Sequence, residues 1–195
     1  EVFAVPDPAD GSVLATMERA AARFWGTLTL GAHANGYVAD AAGRPTHLWI
    51  ARRSPGKATD PGLLDNLIGG GVPWGQSPRE TLVREGWEEA GLMPTELQAA
   101  RAGRVLRLAR DIPEGFQQEW LHAFDLELPP GCVPVNQDGE VAGFERLALA
   151  DALAVVDEMT VDAALVTLDF AARHGRVDDG ELHEGLRRLA VDPPR

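Results

Sequence analysis

The segment from Gly69 to Gly91 restricts the possible folds of this chain more than any other segment. It begins with three consecutive glycines and continues into a run with the sequence signs of a well-capped helix. Ser77 can act as the N-cap, Pro78 stands at the first helical position, and Glu80 completes a Ser-x-x-Glu capping box. Gly91 can end the helix in a left-handed conformation. The pattern predicts a flexible glycine segment followed by a helix of about four turns.

The predicted helix carries three glutamates on one side. Glu85, Glu88 and Glu89 stand at positions i, i+3 and i+4, so their carboxylates project together and repel one another. One interpretation is a solvated acidic face; the other is a site for a divalent cation, because Mg²⁺ and Mn²⁺ prefer oxygen ligands. The spacing alone leaves both open. The preceding glycines favour the metal site, since their backbone can bend and bring a carbonyl to an ion.

The same segment matches a known sequence motif. Gly70, Arg84, Glu85, the pair Glu88–Glu89 and Gly91 fall at the spacing Gly-x5-Glu-x7-Arg-Glu-U-x-Glu-Glu-x-Gly-U, where U is aliphatic. This is the Nudix box, and the chain therefore resembles the Nudix hydrolase family. Two positions depart from the motif, because Gln76 replaces its first glutamate and Gly86 replaces an aliphatic residue.

The resemblance implies a fold, a cofactor and a set of roles. The fold would be a Nudix-type α/β/α sandwich with a mixed β-sheet and a loop-helix-loop catalytic motif. The cofactor would be Mg²⁺, with Mn²⁺ as an alternative, and the activity would be hydrolysis of a diphosphate bond. The implied metal site comprises Gly70, Glu85, Glu88 and Glu89, and the implied catalytic residues are Arg84, Glu85, Glu88 and Glu89. Glu140, in a predicted turn before a strand, is a further catalytic candidate, as a metal ligand or as the base that activates water; a solvated turn carboxylate is the alternative. Because Gln76 lacks a charge, a non-catalytic ligand sensor with the same fold stays an alternative.

Segments outside the box resemble one group within the family. The runs 47–57 and 60–66 are similar to the Nudix domain associated with thiamine pyrophosphokinase, and shorter matches lie at 35–37, 136–141 and 164–175. This group implies hydrolysis of thiamine diphosphate or its oxidised analogues to the monophosphate. A pyrophosphatase for ADP-ribose or another nucleoside-diphosphate-linked compound is the main alternative. Isopentenyl diphosphate isomerase ranks lower, because its cysteine lies near the glycine loop whereas Cys132 follows the helix.

The charge of the chain limits its ligands. Thirty acidic and 18 basic side chains give a net charge of −12, which argues against nucleic-acid binding because phosphate contacts supply most of that affinity. A diphosphate must therefore be held by local positive charge. Arg52, Arg53 and Lys57, the only lysine, precede the glycines and are the predicted substrate-binding cations. Trp49 and Trp74 are further candidates, for stacking on a substrate ring.

The remaining sequence predicts one α/β domain with helices on both faces of a sheet. Residues 1–30 are interpreted as a short N-terminal helical lead-in, with a helix from Ser12 to Arg23, left from a preceding domain; residues 31–195 form the Nudix domain. Residues 54–75 are predicted to be a long functional loop. No run approaches the ~20 apolar residues of a membrane span, and the single cysteine predicts a reducing, cytoplasmic environment. The expected partner is a small-molecule diphosphate, with the question of a homodimer left open.

Overall fold

The computed structural model describes residues 1–7 and 9–193, in which helices cover both faces of a mixed β-sheet. The strands are β1 (Val2–Pro6), β2 (Val13–Glu18), β3 (Leu28–Ala39), β4 (Pro45–Arg53), β5 (Leu64–Asp65), β6 (Ile68–Gly71), β7 (Arg101–Ile112), β8 (Gly115–Glu127), β9 (Val141–Ala148) and β10 (Ala190–Val191). The helices are α1 (Arg19–Trp25), α2 (Pro78–Ala90), α3 (Pro94–Leu97), α4 (Leu149–Ala154), α5 (Val161–Arg173) and α6 (Gly180–Leu189), with a 3₁₀ turn at Val156–Glu158.

The centre of the main sheet is β3. The strands follow the order β10-β7-β8-β3-β4-β5, and β3 pairs in parallel with β8 and antiparallel with β4. The first half of β3 also pairs with β6, so that Ala32 lies opposite Gly70 and His33 opposite Gly69. Strand β9 pairs with β4 on its other side. This topology places the glycine segment and the ends of β4 and β9 in one region.

Each face of the sheet has its own apolar core. On one face Leu82 of α2 and Leu97 of α3 pack with Trp49 of β4. On the other, Phe170 of α5 packs with Leu48 of β4 and with residues of α4. Because helices cover both faces, the predicted α/β/α sandwich with a mixed sheet is confirmed. None of the helices in the described ranges has both the length and the apolar character needed to cross a bilayer.

Two local predictions were wrong. The helix predicted from Ser12 starts only at Arg19, because Val13–Glu18 pairs with β1 in a hairpin. Tertiary pairing overrides the helix propensity of this short run. The predicted loop 54–75 contains β5 and β6, and the three glycines belong to β6 because they pair with β3. The domain boundary at residue 30 stays a prediction, although β3 already begins at Leu28.

Candidate metal and diphosphate site

Helix α2 begins and ends where its sequence predicts. The Glu80 N–H donates to Ser77 Oγ at 3.2 Å, and the Ser77 N–H donates to the Glu80 carboxylate at 2.8 Å. Both halves of the capping box are therefore present. Gly91 closes the helix at φ 67°. These local interactions determine where along the chain the helix starts, and hence which residues face the glycines of β6.

The two departures from the motif have structural explanations. A Cβ atom at Gly86 would lie 2.7 Å from Leu97 Cδ1 and 3.0 Å from Ile68 Cδ1, so glycine lets α2 approach α3 and β6. The Gln76 side-chain oxygen accepts hydrogen bonds from Thr81 Oγ1 at 3.2 Å and from Arg84 Nε at 3.4 Å. Gln76 therefore connects the segment before α2 to Arg84 without adding negative charge.

The glycines of β6 lie directly against the glutamates of α2. A Cβ atom at Gly70 would overlap the Glu85 carboxylate, so only glycine fits at this position. The Gly69 N–H donates to Glu89 Oε2 at 2.9 Å. The backbone of β6 and the carboxylates of α2 thus form one continuous polar surface.

Arg84 lies between two of the three glutamates. Its Nη1 is 2.9 Å from Glu88 Oε2, and its Nη2 is 2.8 Å from Glu85 Oε1. Burial raises the pKa of Glu85, and the Arg84 charge partly opposes that shift. The guanidinium therefore holds the carboxylates of Glu85 and Glu88 in defined positions.

Glu89 is the most buried of the three glutamates. Only 5% of this residue is exposed, and burial together with the Glu85 charge raises its pKa to about 8. Lys57 Nζ lies 3.9 Å from Glu89 Oε1 and forms an ion pair with Glu140. The chain thus brings together three predicted site residues from separate segments, with Lys57 located between two carboxylates.

The donors of this region suit a hard divalent cation, because they are carboxylate and backbone oxygens. Within residues 1–7 and 9–193, however, no group of three or more His, Cys, Asp or Glu side chains is arranged to hold a metal ion as it stands. In this structure the carboxylates of Glu85 and Glu88 pair with Arg84, and the Glu89 carboxylate lies 3.9 Å from Lys57.

The two predicted arginines have different environments. Arg53 is partly buried: its Nη1 donates to Asp65 Oδ2 at 2.7 Å, and its Nη2 donates to the Thr59 carbonyl at 2.8 Å. Arg52 is exposed and donates to the Gly62 carbonyl at 3.0 Å. Arg53 lines a small pocket together with Lys57, Glu89 and Glu140, whereas Arg52 does not.

Neither predicted tryptophan contributes to this pocket. Trp49 is 7% exposed and packs in the core beneath α2, where Arg146 lies over its ring at 5.9 Å. Trp74 is 54% exposed on the segment after β6, and its backbone N–H donates to the Val2 carbonyl at 2.8 Å. The Trp49 ring is covered by core side chains and Trp74 lies away from the pocket, so the structure does not support a stacking role for either residue here.

A second cavity adjoins the pocket and was not predicted from the sequence. Its volume is about 120 Å³, and Arg53 and Asp65 line both spaces. Polar side chains from several elements face it, including His33, Asp65, Gln117, Glu119 and Asp162. The signal in the sequence was the run of three polar residues at 117–119 before the apolar Leu121, in which residues 117 and 119 share one face of the strand.

Several residues of the subgroup resemblance are structural. Asn66 Nδ2 donates to Asn35 Oδ1 at 3.2 Å and to Thr167 Oγ1 at 3.0 Å, which connects β3, the β5–β6 segment and α5. Asp169 is fully buried, and its carboxylate pairs with Arg173 at 2.6 Å and with Arg104 at 2.8 Å. These buried networks fix α5 against the sheet and thereby one wall of the cavity.

Comparison with known proteins agrees with this architecture. Residues 29–170 match the NUDIX domain family. The chain is 40% identical over 180 residues to Nudix hydrolase 20, chloroplastic, and 38% identical over 180 residues to Nudix hydrolase 24, chloroplastic, both from Arabidopsis thaliana. These alignments cover 90% and 91% of this chain but 47% and 49% of the relatives, so the chain spans about half the length of the curated relatives it matches.

A solved structure shows the same fold. The crystal structure of DR0079 from Deinococcus radiodurans superposes with a TM-score of 0.59 at 22% identity, covering 97% of this chain and 99% of that one. The Gly70-to-Gly91 motif, the sandwich built around it and the match over residues 29–170 lead to the same assignment. The chain belongs to the Nudix family.

Proposed function

We propose that the protein is a hydrolase that cleaves a diphosphate bond in a small-molecule substrate with the help of Mg²⁺ or Mn²⁺. The observation that carries this proposal is the packing of two carboxylates of α2, Glu85 and Glu89, against the glycines of β6, beside the partly buried cations Lys57 and Arg53. Oxygen ligands for a metal and positive charge for a phosphate thus lie next to each other, as diphosphate hydrolysis requires.

The metal ligands would be the carboxylates of Glu85, Glu88 and Glu89 and the backbone carbonyl of Gly70. When bound, a divalent ion would neutralise charge on the phosphoryl oxygens and activate water near neutral pH. Arg84 orients Glu85 and Glu88 from between them. The Gly69 N–H does the same for Glu89.

The remaining pocket residues act on the substrate and on water. Lys57 and Arg53 bind phosphate oxygens through charge-assisted hydrogen bonds. Glu140, half-exposed at the mouth of the pocket, is in a position to accept a proton from water or to serve as a further metal ligand. Exposed Arg52 is assigned a weaker, longer-range role in attracting the anionic substrate.

The substrate proposed most specifically is thiamine diphosphate or one of its oxidised analogues, cleaved to the monophosphate. Support comes from the subgroup resemblance in the runs 47–57, 60–66 and 136–141. These runs contribute Arg53, Lys57, Asp65 and Glu140 to the pocket. Because the chain spans about half of its plant relatives, the activity of any longer protein containing it belongs to the same proposal.

Product formation by purified protein tests this function. Thiamine diphosphate, oxythiamine diphosphate and ADP-ribose would be compared with Mg²⁺, with Mn²⁺ and with a chelator, and products separated by chromatography. We expect metal-dependent cleavage of the two thiamine compounds, loss of turnover in Glu89→Gln, and slower cleavage of ADP-ribose. Equal rates on all three would remove the thiamine assignment. Binding without metal-dependent turnover would instead favour the ligand sensor.

We also propose a cytoplasmic location, because Cys132 is a free cysteine and reducing compartments preserve free thiols. The names of the two plant relatives place those proteins in the chloroplast. Fractionation of the source cells, with detection by an antibody to this chain, would distinguish the compartments.

A further inference from the structure

Residues that precede the family match form part of the wall of the second cavity. The match begins at residue 29, whereas Phe3 of β1, Arg23 of α1 and Thr27 all line the cavity. The main sheet supplies further parts of the wall, including Gln117 of β8. The cavity therefore lies between the N-terminal segment, residues 1–27, and the sheet.

The N-terminal segment is packed against the sheet at two points. A Cβ atom at Gly71 of β6 would lie 2.5 Å from Phe3 Cζ, so the Phe3 ring packs directly on the backbone of this glycine. A Cβ atom at Gly115, the first residue of β8, would lie 2.6 Å from the Arg23 carbonyl oxygen, so α1 packs on β8 equally closely. These two contacts fix Phe3 and Arg23 in the cavity wall.

The Arg23 side chain has a hydrogen-bond donor without an acceptor. Its Nη2 donates to Gln117 Oε1 at 3.4 Å, which is long for an N–H···O bond. Its Nε is buried and has no hydrogen-bond partner within residues 1–7 and 9–193. A buried donor without a partner costs free energy, which a ligand with an acceptor atom would recover. Because the bond to Gln117 is long, the guanidinium can turn and present Nε to such a ligand.

The charges around Arg23 are balanced. The Gln117 side-chain oxygen accepts hydrogen bonds from Arg23 and Arg110, and its nitrogen donates to Glu119 and Asp162. Two cations therefore stand beside two carboxyl groups. Besides His33, the other charged side chains of the wall are two arginines and two aspartates: Arg19, Arg53, Asp60 and Asp65. A charged group of either sign would meet like charge in this wall, so the cavity favours an uncharged ligand.

The size and position of the cavity suit a single ring. Its volume is about 120 Å³, and a cavity of about 150 Å³ in an engineered protein holds benzene. Arg53 and Asp65 line both this cavity and the small pocket that contains Lys57. A substrate with its phosphates beside Lys57 would extend its organic group past Arg53 into the cavity, a placement that rests on the proposed function.

We propose that residues 1–27 supply the part of the wall that determines which organic group the cavity accepts, and that Arg23 is the specificity-determining residue. Arg23 Nε donates to a ring nitrogen or a carbonyl oxygen of an uncharged six-membered heterocycle. Phe3 offers the ring an apolar surface. A ring of the same size without an acceptor atom leaves Arg23 Nε unpaired and binds more weakly.

Two rings of equal size test this proposal in the absence of phosphate and metal. Pyrimidine is uncharged at neutral pH and has two acceptor nitrogens, whereas benzene has none. Each would be titrated into isotope-labelled protein in buffer with a chelator, and binding would be followed by NMR at the arginine Nε–H signals and at the backbone amides of the cavity wall.

Two variants separate direct contact with the ring from an indirect effect. Arg23→Lys keeps the charge but has a carbon atom in the place of Nε. Arg110→Lys is the matched control, because Arg110 Nε donates to the same Gln117 oxygen at 2.9 Å and Arg110 does not line the cavity.

We expect pyrimidine to shift the Arg23 Nε–H signal of the unmodified protein in a saturable way, and benzene to leave this signal unchanged. Arg23→Lys should bind pyrimidine roughly tenfold more weakly, the usual effect of losing a hydrogen bond that involves a charged group. Arg110→Lys should bind pyrimidine as the unmodified protein does. Circular dichroism melts show whether each variant is folded. If Arg23→Lys is not, the unmodified protein decides, because through-bond NMR experiments assign its Arg23 signal without a variant.

Three results would overturn the proposal: benzene binding as tightly as pyrimidine, pyrimidine binding unchanged in folded Arg23→Lys, or no saturable shift of the Arg23 signal. Equal weakening in Arg23→Lys and Arg110→Lys would overturn it too, because Arg23 would then act only through Gln117. Failure of hydrolysis would leave these results unaffected, because neither probe carries a phosphate and no metal is present.

Discussion

Lys57 is the residue whose surroundings most directly connect the structure with the proposed chemistry. Its ammonium group pairs with Glu140 and lies 3.9 Å from Glu89, and its side chain is 15% exposed. A partly buried lysine between carboxylates can hold them in position until a metal ion arrives and can then bind an incoming phosphate.

We expect Lys57→Ala to raise the KM for the diphosphate substrate by roughly tenfold, with a smaller change in kcat, because a charge-assisted hydrogen bond to substrate is lost. Steady-state kinetics at saturating Mg²⁺ measures both constants. Lys57→Arg, which keeps the charge, is the control, and its KM should lie between those of the unmodified protein and Lys57→Ala. An unchanged KM in Lys57→Ala would assign this residue to structure alone.

The raised pKa of Glu119 predicts how the free energy of unfolding depends on pH. Its pKa is raised from an ordinary value of 4.5 to about 7, so between those pH values the folded protein holds a proton that the unfolded chain has released. The free energy of unfolding therefore falls as pH rises through this window, and the contribution is lost above about pH 7. The groups facing Glu119 are Asp162 of α5, His33 of β3, Arg23 of α1 and Gln117 of its own strand.

Glu119→Gln removes this dependence, because an amide does not titrate. We expect the urea midpoint of the unmodified protein to fall more between pH 5 and pH 8 than that of Glu119→Gln. The exposed Glu114→Gln variant serves as the reference and should follow the unmodified protein. Parallel curves for Glu119→Gln and the unmodified protein would contradict the raised pKa.

At the residue scale, spacing within one helix was predictable and contacts between distant segments were not. The common side of Glu85, Glu88 and Glu89 follows from helical geometry alone. The Lys57–Glu140 pair joins residues 83 positions apart, which only the completed sheet brings together. Trp49 lies in the core, a position that its place near the motif did not indicate, because strand pairing decides which face of the sheet it occupies.

At the scale of elements, α2 is positioned by its two ends and by the absence of a side chain at Gly86. A Cβ atom there would lie 2.7 Å from Leu97 Cδ1 and 2.8 Å from Leu97 Cδ2, and Leu97 is fully buried. In an open helix position, replacing glycine by alanine stabilises by roughly 0.5–1 kcal/mol. At Gly86 the added methyl group must displace Leu97, and overpacking of this kind costs about 1–3 kcal/mol.

We therefore expect Gly86→Ala to lower the free energy of unfolding. Gly185→Ala, within α6, should raise it, because no atom lies within 4 Å of a Cβ at that position. Urea denaturation of both variants provides the comparison, with helix propensity equal in the two. A stabilised Gly86→Ala would show that Leu97 moves at little cost, and the departure from the motif would then lose its packing explanation.

Helix α2 was predictable as an element because its caps are local, whereas β2 and β6 depend on their partners. Val13–Glu18 contains residues compatible with helix or strand, and pairing with β1 decides the outcome. Gly69–Gly71 has no side chains to mark it as a strand, yet its backbone pairs with β3. Local sequence therefore predicts elements with their own end signals and fails where a distant strand supplies the hydrogen bonds.

At the scale of the whole molecule, the fold collects the proposed site from segments spread over most of the chain. Lys57, Glu89 and Glu140 come from three regions, and Asp162 at the start of α5 completes the adjoining cavity. The sandwich class followed from the order of predicted elements. The connection between the small pocket and the second cavity at Arg53 and Asp65 could not be predicted in this way, because it depends on how β4, β5 and β6 meet around β3.

The proposed metal site would stabilise the entire fold, because its ligands on β6 and α2 come together only in the folded chain. An ion that binds only the folded chain shifts the unfolding equilibrium by mass action, by about 2.7 kcal/mol when its concentration is 100 times Kd. For a chain of this size we expect Mg²⁺ to raise Tm by roughly 5–10 °C at such a concentration.

Glu85→Gln and Glu89→Gln should lose most of the rise, and the exposed Glu114→Gln should keep it. Differential scanning calorimetry in Mg²⁺ and in NaCl of equal ionic strength separates binding from screening. If both salts raise Tm alike, or if the Glu85 and Glu89 variants respond like the unmodified protein, the carboxylates of α2 are a solvated acidic face and not a metal site.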